Sequence, residues 1–278
     1  MSSKRLSMGE PITGQETAVD SYSFDIVEYS ALDFAKTTIT SIREVPLTIR
    51  LNDREVVTLL CTGREPDYLA VGFLKSDAFL SSPEQITDLR VQEEHDRITV
   101  DVQTCHDPWE NRLLERSITS GCGKGTNFGR NVSTISRRSV EGNVHIRPDQ
   151  ILALVDELHE RSTLYNATRG CHNSALCTPE GMLLFREDIG RHNAIDMICG
   201  HCFLDNISVD DKLIVTTGRV ASEILLKVVR IGLPLLVSTA VATSFSVELA
   251  RRTGITLVGN VGKSRFWVYN DRGRIVSS

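Results

Sequence analysis

KLIVTTGRVASEILLKVVRIGLPLLVSTAVATSFSVELARRTGITLVGN, at residues 212–260, is the part of the sequence with the clearest structural pattern. Its short apolar runs KLIVTT, LPLLVS and ITLVGN alternate with two segments of helical spacing, VASEILLKVVRIG and SFSVELARRTG. Gly232 and Gly254 end the two helical segments, at the position where a left-handed C-cap is expected. Strands that alternate with helices favour a largely parallel sheet, covered on both faces, that binds ligands at the carboxyl ends of its strands.

The same alternation extends towards the N-terminus. RPDQILALVDELHERS predicts an amphipathic helix with proline in its first turn, and HNSALC and MLLFRE predict two strands around the turn Pro179-Glu180-Gly181. A helix from about Arg191 to Leu204 follows. The resulting order, α-β-β-α-β-α-β-α-β, predicts an α/β domain over residues 143–278, with three layers (α/β/α) and a mixed, largely parallel sheet.

The first half of the chain is less regular. VPLTIRLNDREVVTLLCTG predicts a hairpin, EPDYLAVGFLKSDAFL a helix and RITVDVQ a further strand. We expect a smaller, β-rich α+β domain over residues 23–142, preceded by a flexible polar tail at residues 1–22. Residues 117–142 are rich in Gly, Ser, Thr and Asn, which is typical of a functional loop or a linker, and they end this domain.

Composition narrows the class of protein. The 278 residues correspond to about two domains, and 31 basic against 36 acidic residues leave a net charge of −5, which does not favour nucleic-acid binding. The longest uncharged stretch, residues 231–247, is too short and polar to cross a bilayer, so we expect no membrane insertion. No signal-peptide pattern opens the chain, and seven cysteines, an odd number, indicate reduced thiols. These features predict a cytoplasmic protein.

Cys122 lies in the glycine-rich run Gly121-Cys122-Gly123-Lys124-Gly125. The absence of bulky neighbours would leave its sulfur accessible to a large partner, and the nearby cations Lys124 and Arg130 would favour the reactive thiolate. A dinucleotide-binding loop is excluded because no helical pattern follows. The alternative is a flexible surface turn that carries an incidental cysteine.

A second glycine-rich turn follows the last strand of the opening stretch. It comprises Asn260, Val261, Gly262, Lys263, Ser264 and Arg265. The turn is two residues short of a P-loop and precedes a strand rather than a helix, but its backbone amides and two cations could bind phosphate. An ordinary charged hairpin turn is the alternative.

Two further clusters carry reactive residue types. Cys199-Gly200-His201-Cys202 has the form of a thiol-oxidoreductase or zinc motif, but it lies near the end of a predicted helix, where the dipole disfavours a thiolate, so we expect both thiols to be buried or idle. The second cluster would line a polar pocket or cap a helix, with His172 as a companion or a structural residue. Its candidate residues are His172, Glu187, Asp188, Arg191 and His192.

Several of these segments resemble the formate dehydrogenase accessory sulfurtransferase family. The resemblance is carried by EVPLTIRLNDREV, YLAVGFLKSDAFL, TSGCGKG, FREDIGRHNAID and the run from VTTGRVASEILLKV through STAVATSFSVELA to TLVGNVGKSRFWVY. It covers about Val45 to Tyr269, and E-D-x-G-R-H-N-A-x-D is a specific signature. It implies a fold similar to cytidine deaminases for the C-terminal domain, and a homodimer.

The resemblance also implies an activity. Family members take persulfide sulfur from a cysteine desulfurase and deliver it to the molybdenum of a bis(molybdopterin guanine dinucleotide) cofactor, as formate dehydrogenase requires. Cys122 then corresponds to the persulfide-bearing catalytic residue, and residues 260–265 correspond to the cofactor-binding loop. The expected partners are therefore the desulfurase and the catalytic subunit of formate dehydrogenase.

The sequence departs from the family at one position. The family loop commonly has a second cysteine, as C-G-x-C, and Gly125 stands there in this chain. Either Cys122 alone suffices for sulfur transfer, or the chain is a non-catalytic chaperone that only binds the cofactor. Nucleobase deamination is not expected, because the helix starts lack the H-x-E and P-C-x-x-C ligands of catalytic zinc. We predict no metal site.

Overall fold

The structure of the chain, a computed structural model, describes residues 15–18, 20–94, 96–107 and 139–277. The strands are β1 (Gln15–Ala18), β2 (Ser21–Tyr29), β3 (Phe34–Ile42), β4 (Val45–Leu51), β5 (Arg54–Cys61), β6 (Ile86–Glu94), β7 (Arg97–Thr104), β8 (His172–Thr178), β9 (Gly181–Asp188), β10 (Leu213–Thr216), β11 (Leu235–Ser238), β12 (Thr256–Gly259) and β13 (Trp267–Asn270). The α-helices are α1 (Pro66–Ser76), α2 (Pro148–Arg161), α3 (Thr163–Thr168), α4 (Arg191–Leu204), α5 (Ser222–Ile231) and α6 (Ser244–Thr253).

The C-terminal half forms a six-stranded sheet in the order β13-β12-β11-β10-β8-β9. The α/β class is confirmed and every predicted helix and strand of this half is present, but the short helix α3 was not predicted. Gly232 and Gly254 end α5 and α6 in the left-handed conformation. The sheet is more mixed than expected, because only the pairs β10–β11 and β11–β12 are parallel among those described. The tight turn between β8 and β9 forces antiparallel pairing, since a parallel pair needs a long crossover.

Helices cover both faces of this sheet. Alternate strand residues such as Ala175, Val215 and Val237 are buried against α2 on one face. Their neighbours along the strands, such as Leu176, Ile214 and Leu236, are buried against α4, α5 and α6 on the other. The likeness of this layout to cytidine deaminases stays a prediction.

The N-terminal half contributes a four-stranded sheet in the order β5-β4-β7-β6, which packs on α1. Helix α1 in turn lies against α4, and the two backbones are so close that a methyl group on Gly72 would overlap the carbonyl oxygen of Asp196. Gly200 meets the carbonyl oxygen of Tyr68 in the same way. The two halves are therefore joined through a helix pair whose spacing requires glycine at the crossing.

A third sheet, β1-β2-β3, was not predicted from the sequence. Strand β1 and the first residues of β2 fall within residues 1–22, where we expected a flexible tail, because alternation in this polar stretch is weak. The two-domain division itself stays a prediction.

Candidate functional site

The loops after β10, β11 and β12 lie side by side at the carboxyl edge of the six-stranded sheet. The backbone N–H of Thr239 donates to the carbonyl of Thr216 at 3.0 Å, and that of Asn260 donates to the carbonyl of Ala240 at 2.9 Å. Strand β8 runs the other way, so its first residue, His172, reaches the same edge. Helices α4, α5 and α6 also begin here, as expected for a ligand-binding edge of an open α/β sheet.

The predicted phosphate-binding turn, residues 260–265, is part of this edge. Asn260 adopts the left-handed conformation (φ 52°), and the turn is closed by a hydrogen bond of 2.9 Å from the Gly262 N–H to the carbonyl of Arg265. Val261 anchors it in the core, with 5% of its surface exposed. The Lys263 and Arg265 side chains are exposed and make no ion pair with the part of the chain that is described. Two cations are thus presented to solvent on a rigid base.

Arg191, His192 and His172 meet at the neighbouring part of the edge, and we call them the basic cluster. The arginine stem packs on Gly218 in the loop after β10, where a Cβ would lie 2.9 Å from that of Arg191. Burial, followed by the charges of Lys227 and Arg191, lowers the pKa of His192 to about 3. Burial and Arg191 also lower the pKa of His172. Both imidazoles are therefore neutral at pH 7.

Glu187 and Asp188 hold the two halves of the chain together. Asp188 Oδ2 accepts hydrogen bonds from the backbone and hydroxyl of Thr62, at 2.9 and 3.1 Å, and Oδ1 accepts from Gly190 and Asn193, at 2.8 and 2.7 Å. Burial raises the pKa of Asp188, and these four donors oppose the rise. Both carboxylate oxygens of Asp188 are thus engaged by donors of the protein itself.

Glu187 is bound in a comparable way. Its carboxylate accepts from the backbone N–H groups of Leu164 and Tyr165 at 3.4 and 3.3 Å and lies 3.6 Å from Arg64 Nη1. Burial raises its pKa. The five residues expected to share one pocket therefore separate into two structural carboxylates and the basic cluster.

Five of the six described cysteines are buried, and burial raises the pKa of each above the ordinary thiol value. The pKa reaches about 12 for Cys61, Cys171 and Cys199 and about 11 for Cys202, and burial also raises that of Cys177. Cys105 is exposed at the end of β7. Buried thiols of high pKa are poor nucleophiles, so these five are inert. Cys122 and its flanking loop lie outside the described residues.

The C-G-H-C motif has a structural explanation. Cys199 and Cys202 are buried in α4, near its end as expected, and Gly200 lies at the crossing with α1. His201 packs on Tyr68, with 4.4 Å between ring centroids, and its Nε2 lies 3.0 Å from Asp205 Oδ2. Each residue of the motif thus serves the packing of α4.

A buried ion pair beside the basic cluster was not foreseen. Lys227 Nζ donates to both carboxylate oxygens of Asp196, at 2.8 and 2.7 Å, and Ser76 Oγ donates to Oδ1 at 2.7 Å. The Lys227 charge also lowers the pKa of His192. Asp196 ends the E-D-x-G-R-H-N-A-x-D signature, but its partners come from distant helices, so the sequence alone carried no signal of the network.

The described helices include none that is long and apolar enough to cross a membrane.

Comparison with known proteins gives one consistent result. The model of the FdhD/NarQ family matches residues 42–276. The sulfur carrier protein FdhD of Bacillus subtilis is 36% identical over 251 residues, which are 90% of this chain and 96% of that protein. The protein of the same name from Geobacillus kaustophilus is 37% identical over 233 residues, 84% of this chain and 89% of that protein.

A solved structure shares the fold. It is a crystal structure from Desulfotalea psychrophila, described as that of a formate dehydrogenase accessory protein. It superposes with a TM-score of 0.75 and 23% identity, over 92% of this chain and 100% of that one.

Proposed function

Because this chain belongs to the FdhD/NarQ family, we propose that it is a sulfur carrier which supports the maturation of formate dehydrogenase. The observation that carries the proposal is the family match itself, which spans both the Cys122 loop and residues 260–265. Relatives of similar length bear the name sulfur carrier protein. The inertness of the five buried cysteines supports Cys122, rather than Cys199 or Cys202, as the carrier.

Sulfur is taken up by thiol exchange. The Cys122 thiolate attacks the terminal sulfur of a persulfide on a cysteine desulfurase, a new S–S bond forms on Cys122, and the desulfurase cysteine leaves as a thiolate. The terminal sulfur stays at the level of elemental sulfur, so this exchange needs no oxidant or reductant.

Delivery differs from uptake, because the terminal sulfur must be reduced to sulfide. The terminal S–S bond breaks, Cys122 returns to the thiolate, and the sulfur becomes a sulfide ligand of reduced molybdenum in a bis(molybdopterin guanine dinucleotide) cofactor. The metal supplies the two electrons for this step. The exposed cations Lys263 and Arg265 suit the phosphates of such a substrate by their charge. The N–H groups of Asn260, Val261 and Gly262 already bond to protein carbonyls, so the two cations rather than these amides would hold the phosphates.

The second candidate is a chaperone that binds the cofactor without covalent chemistry. Gly125 favours it, because the second cysteine common in the family loop is replaced in this chain. We favour the carrier, since the exchange written above uses one thiol only.

The same proposal includes the partners, the compartment and the oligomeric state of the carrier. A cysteine desulfurase and the catalytic subunit of formate dehydrogenase are the proposed partners, and the carrier acts in the cytoplasm as a homodimer. The six described cysteines are free, which suits a reducing compartment.

Complementation separates the two candidates. In a strain that lacks this gene and has no formate dehydrogenase activity, a plasmid with the Cys122→Ala variant should fail to restore activity, whereas Cys105→Ser, at the exposed cysteine of β7, should restore it. Full restoration by Cys122→Ala would instead establish the chaperone. Blotting for both variants ensures that they accumulate equally.

A further inference from the structure

The basic cluster contains polar atoms with no partner. Arg191 Nε and Nη2 and His192 Nε2 are buried and accept or donate no hydrogen bond within the described chain. Buried polar groups are normally satisfied, so such orphans call for an explanation. Arg191 and His192 are only partly buried as residues, so other atoms of both side chains reach solvent while the unpartnered atoms lie beneath the surface. A ligand reaches those atoms only if a side chain turns outward.

The position of Arg191 adds to the anomaly. It is the first residue of the 14-residue helix α4, where the helix dipole disfavours a cation. Lys227 lies close enough to act on the neighbouring His192, while Glu223 of α5 is the acidic group that opposes it. Asp196 pairs with Lys227, and the carboxylates of Glu187 and Asp188 are engaged by their own donors, so Arg191 is the cation of the cluster that these carboxylates leave for a ligand.

The free atoms define the chemistry of a ligand. Nε and one Nη of an arginine form the two parallel donors that grip an anion in bidentate fashion. Neutral imidazoles add single hydrogen bonds or ligate a metal, without adding charge. A compact anion that carries oxygen or sulfur atoms would accept from both arginine groups, and from His192 Nε2 in the tautomer that is protonated at that nitrogen.

The basic cluster and the turn at residues 260–265 are linked through the loops between them. Arg191 packs on Gly218, whose carbonyl accepts from Ser238 Oγ at 2.8 Å, and the Ser238 carbonyl accepts from the Val261 N–H at 3.3 Å. Because neighbouring strands lie about 4.8 Å apart, β8 and β10 place the cluster on the order of 10–15 Å from the turn after β12. An elongated ligand could occupy both.

We propose that the basic cluster is a second anion site, which holds the metal–sulfur end of the cofactor while residues 260–265 hold its phosphates. This inference rests on the proposed function for the identity of the ligand. It assigns Arg191 as the main binding residue and His172 and His192 as further donors.

Anion binding by the full-length protein tests the site. Equilibrium dialysis with molybdate, tetrathiomolybdate and GDP is compared for wild type, Arg191→Gln, Arg191→Lys and Lys263→Gln. Arg90→Gln, at an exposed arginine of β6 away from this edge, is the matched control. Arg191→Gln should weaken both molybdenum anions about tenfold or more and leave GDP unchanged, because a desolvated charge is lost only from the cluster. Arg191→Lys should weaken the binding of these anions less, since lysine keeps the charge but not the two parallel donors of arginine.

The remaining variants locate the two anions separately. Lys263→Gln should weaken the binding of GDP alone, and Arg90→Gln should change the binding of none of the three anions. Wild type that binds neither molybdenum anion, or Arg191→Gln that binds them as wild type does, would overturn the inference. Cys122→Ala should bind the molybdenum anions and GDP as wild type does. Failure of the sulfur-carrier proposal would therefore leave the anion-binding result unchanged. Equal thermal melting of the variants excludes unfolding as the cause.

Discussion

At the scale of single residues, the signature E-D-x-G-R-H-N-A-x-D divides by role. Asp188 and Asp196 bind donors from the N-terminal half, through Thr62 and Ser76, and so connect the two halves of the chain. Arg191 and His192, between them in sequence, have side-chain atoms at the carboxyl edge that make no hydrogen bond with the described residues. A run of adjacent residues therefore contains both the contacts between the halves and the proposed anion site, because α4 begins where the sheet edge and the N-terminal half meet.

Asp188→Ala tests the structural role. The substitution leaves four donors without their acceptor in a buried site, so we expect the free energy of unfolding to fall by about 3 kcal/mol or more. Urea unfolding measures the loss. Glu180→Ala, at an exposed turn, is the control and should be nearly neutral. Equal stability of the two variants would show that the Asp188 contacts do not stabilise the fold.

His192 makes stability depend on pH. Its pKa is about 3 in the folded protein against 6.5 for a free imidazole, so the unfolded chain binds the extra proton over the interval between them. The contribution of His192 to the free energy of unfolding is complete above pH 6.5 and declines as the pH falls. Between pH 6 and pH 5, wild type should lose up to about 1.4 kcal/mol per pH unit more than His192→Gln. Parallel urea-unfolding curves for both proteins over this range would contradict the buried, neutral imidazole.

At the scale of elements, the contact between α1 and α4 determines how the two halves meet. Gly72 and Gly200 let the helix backbones approach closely, and the buried ion pair of Asp196 and Lys227 lies beside this crossing. The residues of the C-G-H-C motif take their positions from this packing, rather than from thiol chemistry. The spacing of a sequence motif could not distinguish these origins, because the partner helix is more than a hundred residues away.

Gly200→Ala tests the crossing. The new methyl group would overlap the carbonyl oxygen of Tyr68, so the helices must separate, and we expect a loss of about 3 kcal/mol or more in the free energy of unfolding. Gly181→Ala is a matched control, since the nearest atom to its new methyl group is a flexible carboxylate oxygen at 4.0 Å. It should change stability by no more than about 0.5 kcal/mol. Similar values for both variants would rule out the close approach.

At the scale of the whole molecule, the sequence was sufficient for the α/β half and for the turn at residues 260–265. Regular alternation of buried strands and helices is a local signal, and it predicted the elements from residue 147 onwards except α3, which is only six residues long. The sheet β1-β2-β3 has a polar, weakly alternating sequence, so it was missed. The pairing of Asp188 with Thr62 and of Asp196 with Lys227 joins residues far apart in the chain, and only the folded structure brings them together.

The central claim is that Cys122 carries sulfur, and intact-mass spectrometry tests it most directly. After incubation with a cysteine desulfurase and cysteine, wild type and Cys105→Ser should each gain about 32 Da, one sulfur atom, which a thiol reductant removes. Cys122→Ala should gain nothing. A wild-type protein that takes up no sulfur, or a Cys122→Ala variant that takes up as much as wild type, would contradict the account.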